Sequence, residues 1–312
     1  MKISILLPYK ENFSPTYAGA VSIFINDTIK ISKFKNETII YGNTKEKKKF
    51  IKNYVNLNFE KSFLKSSTKS YILEFLKKEK ERNSDIIEVH NRPSYLKYLA
   101  DLKYTKKVLY FHNDPLEMSG SKYKNERIYL LENLDKIIFN SVWSKSRFVK
   151  NLPKNHIHSS KLQVIKQSID PKNVNLKKKK KIITFVGKLN SAKGYDIFGN
   201  ALLPILEEFK NWSAIVIGDE HREKINFQHP RFKVLGFQQH KKVLQHLEKT
   251  SIAVVCSRWN EPFGRSSLEA ASRGCAVIIS DRGGLKETIT DGIILKNIKA
   301  NNFTKNIKKL IL

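Results

Sequence analysis

The stretch Arg258–Gly284, RWNEPFGRSSLEAASRGCAVIISDRGG, decides the fold. Pro262 and Gly264 interrupt regular structure, so Glu261 is expected in a loop. Ser266–Arg273 reads as a helix, with Ser266 or Ser267 as its cap and Glu269 in its first turn. Ala276–Ser280, AVIIS, is a short unbroken apolar run of the kind that forms a strand buried on both faces. Loop, helix and buried strand in that order predict an α/β unit with a parallel sheet. A helix start offers N–H groups and a positive dipole end, which suits a phosphate, and Gly264 lets a ligand approach the backbone closely. Glu269 can accept paired hydroxyls, and Glu261 a second polyhydroxyl group. The plain alternative is a helix start whose dipole favours acidic residues.

The same alternation extends in both directions. Apolar runs predict strands over Ile3–Pro8, Glu37–Tyr41, Asp85–His90, Lys107–His112, Lys136–Asn140 and Leu162–Ile165. Amphipathic runs predict helices over Tyr17–Phe34, Phe59–Glu81, Pro93–Lys103, Lys124–Asn133 and Val142–Asn151, while Lys45–Asn58 reads either way. Residues 171–181, PKNVNLKKKKK, have the composition of a solvated linker between a domain over 1–170 and another over 182–312. Beyond the linker, strands are expected over Ile182–Val186, Trp212–Ile217, Phe232–Leu235 and Ile252–Cys256, and helices over Gly194–Phe209, Lys241–Lys249 and from Phe303. The fold class is therefore α/β: two Rossmann-like domains facing across a cleft, where small-molecule sites tend to form.

The 312 residues are 40% apolar and 11% aromatic, globular values that argue against disorder despite a net charge of +29. No apolar run approaches the roughly 18 residues of a membrane helix, and Pro8 and Lys10 make the first run too short for a signal peptide. Cys256 and Cys275 have no C-x-x-C partner, which predicts a reduced, cytoplasmic protein. Basic residues exceed acidic ones in both halves of the chain, so the charge reads as solvated lysine and no nucleic-acid partner is expected. An anionic membrane surface is a candidate partner, since each nearby Lys or Arg adds up to about 1 kcal/mol there, and would make the protein peripheral to the inner face of a membrane.

A second constellation lies in FVGKLNSAKGYDIF, where Gly187 follows a predicted strand, Lys188 and Lys193 follow it, and Gly194 opens a helix. Two cations at the carboxyl end of a strand neutralise a diphosphate and stabilise it as a leaving group. The spacing is not that of a Walker loop.

Together these segments resemble the family 4 glycosyltransferases, retaining enzymes of the two-domain GT-B fold. The family pattern reads here as GKLNSAKG, EPFGRSSLE, ASRGCAVI and GGLKE, in order, with VLGFQQHKKVLQHL resembling the loop and helix beside the nucleobase. The resemblance implies that Lys188 and Lys193 meet the donor diphosphate, Glu269 the ribose and Glu261 the transferred sugar. It gives Phe263, Gly264 and Arg265 as backbone N–H donors, and Phe237 as a neighbour of the base. In the first half, LLPYKENFSPTYAGAVS resembles the loop facing the donor phosphates, with Gly19 at a helix start, and VLYFHND places His112 where the family has its active-site histidine. His90 and Arg92 of EVHNRPSY, with Asn113 and Asp114, are expected to line the acceptor side.

The implied reaction is transfer of a sugar from a nucleotide diphosphate sugar to a glycan or lipid-linked acceptor, with retention, in cell-surface polysaccharide synthesis. His112 and Glu261 orient the sugar and stabilise its positive charge. No cofactor and no metal are expected, since no histidines have metal-ligand spacing and the lysine pair supplies the charge. Two departures stand out: Gln167-Ser168-Ile169-Asp170 replaces the family's Asn-Gly-Val-Asp, and the sequence stops at Leu312 within an expected helix, which reads either as a shortened form or as an incomplete sequence. The rival readings are a sugar-nucleotide epimerase of the same fold and a non-enzymatic polyanion-binding protein.

Overall fold

The computed structural model describes residues 1–59, 66–157, 159–170 and 172–312. They form two compact units, Met1–Gln167 and Ser168–Leu312. The division thus falls just ahead of the lysine-rich run.

In the first unit the order is β1 (Ile3–Leu6), α1 (Ala20–Ile31), β2 (Thr38–Gly42), β3 (Tyr54–Asn56), α2 (Ser67–Arg82), β4 (Ile86–His90), β5 (Lys106–Phe111), α3 (Lys124–Asn133), β6 (Lys136–Phe139), α4 (Val142–Val149), α5 (Lys154–Ile157) and β7 (Leu162–Val164). The strands lie in the order β3-β2-β1-β4-β5-β6-β7, every pair parallel. Side chains alternate across the sheet: Ile5 and Leu7 pack with Val21, Ile25 and Ile29 of α1, whereas Leu6 faces Tyr71 and Phe75 of α2 and Phe148 of α4.

Local chemistry sets the ends of α2. The Ser66 side chain accepts from Lys69 N, and Asn83 turns into the left-handed region at φ 52° to end the helix. The predicted helix Phe59–Glu81 therefore begins later, and its portion over 60–65 lies outside the described residues. Pro93–Lys103 is corrected from a helix to a 3-10 turn over Pro93–Tyr98 that opens on its proline.

The second unit runs β8 (Lys180–Val186), α6 (Tyr195–Glu208), β9 (Ser213–Ile217), β10 (Phe232–Val234), α7 (His240–Lys249), β11 (Thr250–Val255), α8 (Arg265–Ser272), β12 (Ala276–Ser280), β13 (Ile293–Leu295) and α9 (Ala300–Ile311). The sheet order is β10-β9-β8-β11-β12-β13, all parallel. Counted from β8, that is the Rossmann order 3-2-1-4-5-6. Phe198 and Leu202 of α6 pack with Phe303 and Ile307 of α9 on one face. Val243 and Leu247 of α7 pack with Ala270 of α8 on the other. The chain thus changes face between β8 and β11, which opens a crevice at their carboxyl ends. Pro171 of the expected linker is outside the described residues. Beyond it Asn175 caps a 3-10 turn over Leu176–Lys178, and Lys180 and Lys181 already belong to β8. Among the described residues no helix is long and apolar enough to cross a membrane.

One buried carboxylate ties three elements of the first unit together. Glu79 of α2 accepts from Ser4 Oγ of β1 at 2.7 Å and from Ser84 N, ahead of β4, at 2.7 Å. Replacing it by alanine strands these donors, so Glu79→Ala should lower stability by about 1–3 kcal/mol, read as a lower urea midpoint. An unchanged midpoint would show that the carboxylate contributes nothing net.

Candidate functional site

In the second unit the loops that follow β8, β11 and β12 are fastened to one another. Gly194 stands at φ 73°, and an added Cβ would lie 2.0 Å from Cys256 O, so this contact requires glycine. Cys256 Sγ donates back to Gly194 O at 3.0 Å. The N–H groups of Arg258 and Trp259 both donate to Ala192 O, at 2.9 and 3.0 Å. Arg258 also grips Asp196 with two bonds of 2.6 Å. That bonding holds the Asp196 carboxyl below its ordinary range. These fasteners fix the backbone from which Lys193 projects.

Lys193 Nζ lies 2.5 Å from Glu261 Oε1, a pairing of residues 68 apart. The Glu261 side chain is only 11% exposed and that of Lys193 33%. Glu261 O accepts from Gly284 N at 2.7 Å. Gly283, at φ 62°, leaves no room for a Cβ, which would sit 2.3 Å from Glu261 O. The two glutamates flanking Pro262-Phe263-Gly264 thus both point into fixed surroundings. Glu269 is 5% exposed. Its Oε1 accepts from Arg265 Nε at 3.2 Å and faces His240 Nε2 at 2.9 Å.

Three expectations about α8 change. The helix starts at Arg265, because Gly264 takes a left-handed conformation and caps it without a side-chain bond. The Ser267 hydroxyl does not cap but donates to Gly264 O at 2.7 Å and meets Thr288 Oγ1 at 2.6 Å. Glu269 is consequently the fifth residue of α8 and lies beyond the first turn. Phe263 is buried, Phe237 half-buried on the loop between β10 and α7, and Lys188 exposed after Gly187. His240, the first residue of α7, was not expected in the site. The only sequence signal for it is its place at the helix start after Phe237.

The first unit holds its own group. His112 follows β5 with every polar backbone atom engaged: its N–H donates to Asn91 Oδ1 at 2.9 Å, and its O accepts from Asn140 Nδ2 at 3.0 Å. Asn91 adopts φ 55° and also receives Asn113 N at 3.0 Å, so this turn residue orders the loop after β5. His90 is fully buried, with its Nδ1 2.8 Å from His112 Nε2. Arg92 is half-buried and donates to Asn91 O at 2.7 Å. Asn113 is exposed. Asp114 is buried, where it caps the turn Pro115–Glu117 through Leu116 N and pairs with Arg147 Nε at 2.9 Å. Gly19 caps α1 without a side chain. The α1 start is met by Glu11, whose Oε1 accepts from Ser22 N at 3.0 Å and Ser22 Oγ at 2.7 Å. Sequence reading missed Glu11, Asn91 and Glu88, the last of which faces His90. Only Glu88 left a trace, since Glu88 and His90 are two apart and share one face of β4.

Among the described residues no group of three or more His, Cys, Asp or Glu side chains could hold a metal ion. The structure offers a nest of paired charges at the switch point of the second sheet, suited to a ligand that is both anionic and rich in hydroxyls.

Burial silences the cysteines. The Cys256 thiol is pushed up to about 12 from an ordinary value of 9.0, chiefly by desolvation, and Cys275 is raised for the same reason. The folded protein keeps a proton that the unfolded chain releases. Its stability is therefore full below about 9 and falls as pH rises from about 9 towards about 12. At pH 8 neither thiol should react with a disulfide reagent until denaturant is added. Rapid labelling of the native protein would contradict this placement.

Residues 166–312 match the family model for glycosyl transferases group 1. The chain is 31% identical over 126 residues to spore coat protein SA of Bacillus subtilis (strain 168), covering 36% of this chain and 33% of that protein. It is 27% identical over 131 residues to the lipopolysaccharide core biosynthesis mannosyltransferase LpsB of Rhizobium meliloti (strain 1021), covering 39% of this chain and 37% of that one. The matches thus span little more than a third of the length of either relative. Among solved structures, Anabaena Alr3699/HepE in complex with UDP-glucose gives a TM-score of 0.76 at 16% identity, over 100% of this chain and 90% of that chain. At that identity the likeness shows the fold, two parallel α/β domains of GT-B type.

Proposed function

We propose that this chain, which carries a glycosyl transferases group 1 domain over residues 166–312, transfers a sugar from a nucleotide diphosphate sugar to a hydroxyl of a glycan or lipid-linked acceptor. The observation that carries the reading is the meeting of Lys193 Nζ with Glu261 Oε1 at 2.5 Å, in the loop that leads into α8 and so to Glu269. Cation, carboxylates and helix start are the three groups a sugar nucleotide calls for.

Lys188 and Lys193 neutralise the diphosphate. The backbone N–H groups of Phe263, Gly264 and Arg265 serve the phosphate oxygens. Glu269, steadied by Arg265 and His240, takes the ribose hydroxyls, and Phe237 lies by the base. Glu261 turns to the transferred sugar once a phosphate claims Lys193, and His112 meets the same sugar. Gly19 faces the phosphates, and His90, Arg92, Asn113 and Asp114 belong to the acceptor side. The bond from the anomeric carbon to the diphosphate oxygen breaks, and a bond to the acceptor oxygen forms on the same face, so configuration is retained. The acceptor proton passes to the departing phosphate oxygen. The lysines supply the positive charge that a metal supplies in other transferases, so the reaction runs without one.

The neighbour solved with UDP-glucose makes uridine diphosphate sugars the first donors to test. The spore coat and lipopolysaccharide relatives favour a cell-surface glycan as acceptor. The basic surface fits work in the cytoplasm against the inner face of a membrane.

A thermal-shift screen of UDP, GDP, ADP and CMP and their sugars tests the donor site. At about 100 times Kd the matching ligand should stabilise the protein by roughly 2.7 kcal/mol, and Glu269→Gln should remove most of the shift. A folded wild type that responds to none of them would end the transferase reading.

A further inference from the structure

Four side chains of the first unit lie in a row, hydrogen-bonded from His90 through His112 to Gln167 and met at the outer end by the Glu88 carboxylate as a charge contact that makes no hydrogen bond to His90 Nε2. Glu88 Oε1 lies 2.5 Å from His90 Nε2, His90 Nδ1 lies 2.8 Å from His112 Nε2, and His112 Nδ1 lies 2.9 Å from Gln167 Nε2. His90, His112 and Gln167 are buried, while the Glu88 side chain is 27% exposed at the outer end. The rings are held flat against Tyr110, whose centroid stands 4.5 Å from that of His112 and 5.5 Å from that of His90. The Tyr110 hydroxyl is itself anchored on Ile165 O at 2.6 Å. Phe24 closes the edge of His112 at 5.1 Å.

The line has one consistent proton assignment for neutral rings. A carboxylate this close to His90 Nε2, though off the line of a hydrogen bond, favours a proton there by its charge, which leaves His90 Nδ1 as an acceptor. His112 Nε2 must then carry the proton it donates to His90. His112 Nδ1 is left as an acceptor, and the Gln167 amide nitrogen supplies its donor. Reversing the Gln167 amide would reverse every bond and set a bare His90 nitrogen against a carboxylate. The charged end therefore selects the direction. Two buried histidines that needed only hydrogen-bond partners would be satisfied by any acceptor at the outer end, carbonyl or hydroxyl included. A carboxylate is the group that also carries charge.

We propose that Glu88 and His90 are positioning residues that lock His112 in its Nε2–H tautomer and relay the Glu88 charge to it. The idea deepens the transferase reading and rests on it for its kinetic consequence. A neutral imidazole made electron-rich in this way stabilises the positive charge that grows at the anomeric carbon, while binding of the donor itself does not depend on it. His90 thus acts through His112.

The test uses the full chain labelled with 15N-histidine, together with steady-state kinetics on whichever uridine diphosphate sugar is turned over. In the wild type the His112 nitrogens should show the Nε2–H pattern. Glu88→Gln keeps the shape and removes the charge: His112 should then lose its single tautomer, and kcat should fall about tenfold with donor KM unchanged. Glu88→Asp, which keeps the carboxylate, should recover part of both. A wild-type His112 in the Nδ1–H form, or a Glu88→Gln protein with wild-type kcat and spectrum, would overturn the proposal. If the wild type turns over no donor, the transferase reading fails, and the nitrogen spectra of wild type and Glu88→Gln still decide the positioning claim.

Discussion

The ion pair between Lys193 and Glu261 closes the point where the second sheet changes direction, and much of that unit is arranged to permit it. Parallel pairing brings the carboxyl ends of β8, β11 and β12 to one edge. Lys193 comes from the first of these ends and Glu261 from the second, while Gly283 after the third braces Glu261 from behind. Each loop is narrow because a neighbouring carbonyl occupies the place of a side chain at Gly194 and at Gly283. The pair is half-closed to water, so each charge leans on the other. On the proposed reading, an incoming diphosphate offers Lys193 a more highly charged partner and releases the carboxylate.

Carboxylates are also held by neighbouring side chains at Glu269 and at Glu88. Glu269 is held between Arg265, one turn before it on α8, and His240 at the start of α7. On the proposed reading, the carboxylate that takes the ribose is thus oriented before any ligand arrives, which reduces the entropy lost on binding. In the first unit Glu88 sits at the end of a line of rings.

Much of this was legible in the chain itself. Strand β12, AVIIS, and helix α3, KNERIYLLEN, fall on the expected residues, the strand because an unbroken apolar run leaves one reading. The edge strand β3 lies within Lys45–Asn58, which reads either way, and β13 escaped notice: a run of three residues shows little period, and its pairing comes from the neighbouring strand. Helix α8 begins one residue early because the left-handed turn at Gly264 outranks the capping preference of Ser266 or Ser267. In the site, Lys193, Glu261 and Glu269 were marked by local spacing. The links of Glu269 to His240, of His90 to His112 and of His112 to Gln167 join residues 29, 22 and 55 apart. Such contacts exist only once strand order is set, and no spacing along the chain announces them. Glu11 at the start of α1 belongs to the same class.

If Lys193 is the residue that exchanges its carboxylate for a diphosphate, its contribution should grow with the charge of the nucleotide. Isothermal titration of the wild type and Lys193→Met with the diphosphate and the monophosphate of the preferred nucleoside measures that directly. The account predicts that the wild type binds the diphosphate more tightly by about tenfold or more, a difference of about 1.4 kcal/mol, and that Lys193→Met binds the two nearly alike. An undiminished preference for the diphosphate in Lys193→Met would contradict it.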